Sequence, residues 1–222
     1  MRIAFITRRH PPGVPSPTLF EAARLLGDWG AEITLIYPEE DPIDPREVRE
    51  DHDLYLLNSG TEAALSLAGA LDTLGARILN PFQATQRCRD RIVASRTLDA
   101  AGVLVPKSYL EGRPPSGHDL ELFGIGDHLF GVDGEPFTIT PVLREIGIRC
   151  ARAFGLRVFG IDVVVSDGQP YVVDINPFPG FEGVPEAALR LADWIYAATS
   201  HISLSAVGAG GDEPAVPTMS PA

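Results

Sequence analysis

Residues 159–187 read FGIDVVVSDGQPYVVDINPFPGFEGVPEA. Two runs of alternating character, FGIDVVV and PYVVDIN, flank a turn-forming SDGQ, and this pattern predicts a β-hairpin. With residues 167–169 as a three-residue loop, Asp162 stands opposite Asp174, Val164 opposite Val172 and Gly160 opposite Asn176. Side chains of a strand alternate between its two faces. Phe159, Ile161, Val163, Val165, Tyr171, Val173 and Ile175 then form one apolar face, and Asp162, Asp174 and Asn176 gather on the other. A slip of one residue would split the two aspartates between faces.

Carboxylates about 5 Å apart across a strand pair repel each other unless a cation sits between them. An all-oxygen set with room for water and phosphate suits magnesium. Asp162 and Asp174 are therefore candidate metal ligands, with Asn176 adding a neutral oxygen. A lone aspartate at a strand end would ordinarily cap or turn the chain, but the convergence of three such side chains on one face favours a metal. PFPGFEGVP, after Asn176, is too rich in proline and glycine for a regular element and predicts a shaped loop whose backbone is open to a ligand.

Upstream, residues 1–80 alternate apolar runs (RIAFIT, EITLIY, DLYLLN, ARILN) with helical segments (TLFEAARLLGDWG and residues 61–74). Continuous apolar strands separated by helices predict a small open parallel sheet covered on both faces. RRHPPGVPSP follows the first strand where a dinucleotide fold places its glycine-rich turn, so a nicotinamide site is not expected. Asn80-Pro81 closes this unit. FQATQRCRDRIVASRTLDAAG then reads as one helix stopped by Gly102, and DLELFGIGDHLFGV as two strands about the Gly126-Asp127 turn. Thr140 and Pro141 mark a helix start and Gly155 its end, while VPEAALRLADWIYAAT predicts an amphipathic closing helix from about Val184.

The length of 222 residues and 45% hydrophobic content suit one large domain or two small ones. Eighteen basic against thirty acidic residues give a net charge of −12, which argues against a nucleic-acid track or a basic membrane-surface patch. Lys107 is the only lysine. Cys88 and Cys150 have neither metal-ligand spacing nor a disulfide framework, no apolar run reaches membrane-span length, and a reducing cytoplasm is the expected location. Ser59, Ser95, Ser108 and Ser116 lie in no nucleophile motif, and His118 and His128 read as surface or turn histidines.

FGIDVVVSDGQPYVVDINPFPGFEGVPEA resembles the carboxy-terminal signature of ATP-grasp enzymes. It is near the RimK-like and glutathione-synthase-like ligases, and DINPFPG is similar to the corresponding motif of the inositol polyphosphate kinases. RDRIVASRTLDAAGVLVP resembles the helix entering that domain, and residues 1–80 resemble the substrate domain before it. The resemblance implies an α/β fold, a small parallel-sheet N-terminal domain followed by a shortened ATP-grasp-like α+β domain. The implied division is a Rossmann-like unit over residues 1–82, the ATP-grasp-like unit over 83–200 and a disordered tail over 201–222. It also implies Asp162, Asp174 and Asn176 as ligands of Mg2+ or Mn2+ beside ATP, and a small-molecule or peptide acceptor. Only KSYLEGRPPSGH separates Pro106 from Asp119, too short for the lysine-bearing lid strands of the family. Glu121 stands where relatives place a basic residue, and Arg144, Arg149 and Arg152 are the alternatives for phosphate, or else a solvated helix face. Three functions are compatible: a carboxylate–amine ligase acting through an acyl phosphate, a kinase acting on a hydroxyl, or a non-catalytic remnant. The residues leave the oligomeric state open.

Overall fold

The computed structural model describes residues 1–9, 18–106 and 117–207, and side chains through Thr199. Lys107, Ser108, Ser116, most of the segment after the first strand and the tail from residue 208 lie outside the described residues. Strands β1 (Arg2–Ile6), β2 (Glu32–Ile36), β3 (Leu54–Leu57) and β4 (Ile78–Leu79) pair in parallel in the order β2-β1-β3-β4. Helix α1 (Thr18–Asp28) covers one face and α2 (Glu62–Thr73) the other. Both faces are thus buried, as the unbroken apolar runs require: Ile3 and Phe5 meet α1, while Ala4, Ile6, Tyr55 and Leu57 meet α2.

The stretch expected as one helix is two, α3 (Phe82–Arg89) and α4 (Arg91–Ala100). Asp90 breaks it: its backbone is extended (φ −86°, ψ 108°), and its carboxylate accepts from the Ile92 and Val93 amides, both at 3.0 Å. An aspartate that satisfies two orphan donors is a strong N-cap, and here the cap outweighs helical continuity. Among the described residues no strand lies between α4 and the next sheet.

That sheet is antiparallel, in the order β7-β6-β5-β8-β9. It comprises β5 (His118–Ile125), β6 (His128–Asp133), β7 (Glu135–Phe137), β8 (Val158–Ser166) and β9 (Gln169–Asn176). The short β7, from GEPF, is an addition to the two strands expected there. Helix α5 (Pro141–Phe154) has the predicted boundaries: the Thr140 hydroxyl accepts from the Leu143 amide, Pro141 opens the first turn and Gly155 closes it in the left-handed region (φ 74°). With α3 and α4 it covers one face of the sheet through Leu143, Cys150, Phe154, Phe159, Ile161 and Val163.

Helix α6 (Ala187–Val207) starts three residues later than expected and returns to α1. Its Leu191, Ala192 and Ile195 share a core with Leu19, Leu26 and Phe5, and also with Phe123 and Val158 of the antiparallel sheet. Asn80 fastens the two sheets together. Its side chain is fully buried, donates to the Val158 and Pro177 carbonyls, and accepts from the Arg157 and Val158 amides at 3.0 and 3.2 Å. All four hydrogen-bonding sites of the amide are used.

Candidate functional site

The hairpin of β8 and β9 pairs Asp162 with Asp174 and Gly160 with Asn176. All three polar side chains lie on the exposed face, while Ile161 and Ile175 are buried on the other. One part of the expected register is corrected. Val163, not Val164, faces Val172, because the connection is a two-residue turn at Asp167 and Gly168, with φ 49° and 75°. Consecutive positive φ values define the turn type that matches strand twist. A bulge between Asp162 and Val163 absorbs the extra residue of β9. In consequence Val172 joins the apolar core, while Val173 turns to the acidic side beside Asp162 and Val164.

The loop after β9 is shaped as expected. Asn176 Oδ1 accepts from the Phe178 amide at 2.9 Å, and the Thr18 hydroxyl of α1 donates to the Gly180 carbonyl at 2.7 Å. Phe178, Phe181 and Val184 are buried in the core shared with α6. Gly160 makes room for this path: a Cβ there would lie 2.9 Å from Pro179 Cβ.

Glu121 extends the acidic row onto a third strand, since β5 pairs it with Asp162. Burial pushes its carboxyl above the usual glutamate range, and the nearby charges of Asp162 and Glu182 push it further. A folded-state pKa raised above the unfolded value means that ionised Glu121 costs stability, and that this cost is relieved as pH falls through the folded value toward the ordinary glutamate range. The parent should therefore melt higher near pH 5 relative to pH 7 than Glu121→Gln does, and Glu121→Gln should melt above the parent at pH 7. Thermal melts of both proteins at the two pH values check this; identical pH dependence would refute the repulsion.

Among the described residues no group of three or more His, Cys, Asp or Glu side chains is placed to hold a metal by itself. The acidic row is spread over three neighbouring strands, Glu121 beside Asp162 and Asp162 beside Asp174, with Asn176 two residues beyond Asp174 on the same face. The acids border two cavities. One, of about 240 Å³, is lined by Asp119, Glu121, Asp162, Val164 and Val173. The other, of about 380 Å³, lies at the ends of β1 and β3 and includes Arg8, Asn58, Thr85, Arg89, Asp174 and Asn176. Its basic and polar lining was missed by sequence reasoning, although Arg8 follows the first parallel strand, where open α/β sheets bind ligands.

The arginines considered for phosphate are elsewhere. Arg144 and Arg152 line a groove of about 580 Å³ on α5, and Arg149 pairs with Glu145 at 2.8 Å. Helix α5 packs on the apolar face, so the sheet separates these cations from the acids. His118 is exposed and its Nε2 hydrogen-bonds Asp133 at 2.7 Å, in keeping with a surface role.

A sequence model of the inositol 1,3,4-trisphosphate 5/6-kinase ATP-grasp domain matches residues 131–197. A "Probable alpha-L-glutamate ligase" of Picosynechococcus sp. is 29% identical over 143 residues, 56% of this chain and 45% of that protein. An inositol-tetrakisphosphate 1-kinase of Danio rerio is 40% identical over 62 residues, 27% of this chain and 15% of that protein. The chain thus spans less than half the length of these curated relatives. Among solved structures, a RimK domain ATP-grasp protein from Sphaerobacter thermophilus superposes with a TM-score of 0.69 at 17% identity, covering 88% of this chain and 100% of that one. The ATP-grasp ligase PsnB, in complex with a precursor peptide and AMPPNP, gives 0.65 at 14%, covering 89% and 98%. The fold is that of the ATP-grasp ligases. Residues 131–197, which hold the hairpin and its loop, are thus the part of the chain that matches an ATP-grasp family model.

Proposed function

We propose that the exposed face of the hairpin binds a divalent cation, magnesium or manganese, with ATP, and that the site is of the carboxylate–amine ligase type, with a small-molecule or peptide acceptor but little turnover by this chain alone. The observation that carries this reading is the direct pairing of Asp162 with Asp174, with Asn176 on the same open face. The residues fit such an ion: two carboxylates and an amide oxygen are hard donors, and their exposure leaves positions for water and phosphate. Asn176 Oδ1 already accepts from the Phe178 amide, which fixes its direction and leaves a second lone pair. Bound metal and nucleotide would supply an activated phosphoryl group, by which a carboxylate becomes an acyl phosphate open to amine attack. The protein's part is to position the acceptor and balance charge.

A hydroxyl acceptor is the second reading, favoured by the kinase-type match over residues 131–197. No helix among the described residues is long and apolar enough to cross a membrane. The free, buried thiols of Cys88 and Cys150 fit a reducing cytoplasm as the place of action.

Equilibrium titration of ATP with and without magnesium tests the site. Binding should be magnesium-dependent and weak, about −4 kcal/mol, in the millimolar range. Asp174→Asn should abolish it while leaving the melting temperature equal or higher, because it relieves like-charge repulsion across the strand pair. Unchanged magnesium-dependent affinity in that variant would remove the assignment.

A further inference from the structure

We propose that the groove along one flank of α5 docks an acidic, aliphatic segment of a partner protein, whose carboxylates are held by Arg144, Arg152 and Arg157. The groove lies across the sheet from the acidic hairpin, so its occupant is neither the nucleotide nor the acceptor proposed above. Helix geometry sets its position. With 3.6 residues per turn, successive side chains step about 100° around the axis, and Arg144, Ile148, Ala151, Arg152 and Gly155 share one flank, which lines the groove. Arg149 and Ala153 fall on the opposite flank, where Arg149 donates to the Gly102 carbonyl at 3.3 Å and Arg87 of α3 donates to the Ala153 carbonyl at 3.4 Å. Helices α3 and α4 thus hold one side of α5, and the other faces the β5–β6 turn, where Gly126, Asp127 and Leu129 form the far wall. Leu129 packs over Gly147: a Cβ added there would lie 2.9 Å from Leu129 Cδ1, so the missing side chain serves the joint between the two walls.

The charge on this flank is uncompensated. Arg24, Arg46, Arg96, Arg149 and Arg190 each pair with a carboxylate. The Arg144 and Arg152 guanidiniums have no such partner among the described residues. Arg157 reaches only Asp127, at 3.4 Å, and the Asp127 side chain is 95% exposed. Exposed pairs of this kind contribute little, and an incoming carboxylate can replace Asp127. In a chain of net charge −12, three arginines along one groove form a local field of opposite sign. Between them the surface is apolar, with Leu129 and Ile148 half-buried over Leu156 and Phe159. A guanidinium rim around an aliphatic floor is the composition of protein interfaces, where arginine anchors carboxylates and apolar side chains fill the centre.

The dimensions fit a segment better than a single anion. The groove holds about 580 Å³, and Arg144 and Arg152 stand two turns, about 12 Å, apart along α5. An extended strand covers that distance in about four residues. Two acidic residues four apart, with aliphatic side chains between them, therefore match the arginines and the floor together. A second copy of this chain fits poorly, because a two-fold contact through this flank would set the arginines against the same arginines. An anionic membrane surface would have to overcome the net charge of −12.

The test selects random peptides displayed on phage against the purified full chain, followed by anisotropy titration of the enriched peptides in fluorescent form. Enriched sequences should carry Asp or Glu flanking aliphatic residues, and Arg144→Glu/Arg152→Glu should weaken their binding tenfold or more with an unchanged melting temperature. Arg144→Gln/Arg152→Gln, which adds no negative charge, should weaken it several-fold, and so should Ile148→Ser. Arg149→Gln, on the opposite flank, should stay within twofold of the parent. Enrichment without acidic residues, or acidic peptides that bind both double variants within twofold of the parent, overturns the docking site. Arginine-dependent binding to phosphatidylglycerol vesicles with no acidic peptide enriched also overturns it, and would assign the flank to a membrane surface.

Discussion

Asn80→Ala is expected to lower the melting temperature by roughly 10 °C. The substitution removes the partner of two carbonyls, Val158 and Pro177, and of two amides, Arg157 and Val158, at a site with no exposure. An unsatisfied buried polar group costs about 1–3 kcal/mol. Allowing for groups that find other partners, the total is about 3–5 kcal/mol, and each kcal/mol moves the melting temperature about 2–4 °C in a chain of this size. Asn80→Asp refines the test. It keeps the shape, but when ionised it has no donor for the two carbonyls, and burial raises its folded-state pKa above the unfolded value. Its deficit should be full at pH 8 and shrink as pH falls toward about 5, as protonation returns the donor. Melts of both variants across that range decide the matter. A loss under 3 °C in Asn80→Ala would show that the sheets are held by their apolar core alone.

The hairpin shows both what alternation makes legible and what it hides. Alternation brings the two acids opposite each other even from a loop of the wrong length. A three-residue loop with regular pairing and a two-residue turn with one bulge both bring Asp162 opposite Asp174. The two schemes differ only between turn and bulge, and there the reading failed: Val172 took the core position assigned to Tyr171 and Val173. Asp167-Gly168 was the available signal, since both residues tolerate the positive φ that a two-residue turn demands. The bulge itself leaves no mark in the sequence, because Val172 and Val173 are the same residue type and either can fill the apolar side.

Local signals gave the helix boundaries where a cap stood alone, as at Thr140 and Gly155. At Asp90 the cap was hidden inside an otherwise helical run, so the break between α3 and α4 went unread. The consequence is spatial: that break sets Arg89 and Arg91 on the cavity they share with Arg8, about eighty residues away in sequence. Asn80 was equally opaque, because its partners lie 77 to 97 residues downstream and no local pattern encodes such a bond.

The purified chain should turn over ATP far more slowly than a typical enzyme, even with its acidic hairpin in place. Magnesium neutralises only part of the triphosphate charge, and the remainder must meet fixed donors in a dry cleft, where a single donor can be worth on the order of 10² to 10³ in rate. The cavity on the outer side of the hairpin instead presents carboxylates: Asp119, Glu121, Asp133 and Asp162 line it. The sequence holds one lysine, Lys107, and only twelve residues, 107–118, where the ATP-grasp resemblance implies a lysine-bearing lid. If two such donors are wanting, the deficit is about 10⁴ or more against an enzyme turning over about 10 times per second. The assay is ADP release from magnesium ATP by the purified full chain, offered amino acids, peptides or inositol phosphates in turn. Background-level release with every acceptor is the expected result. Acceptor-dependent turnover near 10 per second that vanishes in Asp162→Ala would mean that the short connection and the acidic cavity do not limit catalysis, and the acceptor that supports it would choose between ligase and kinase chemistry.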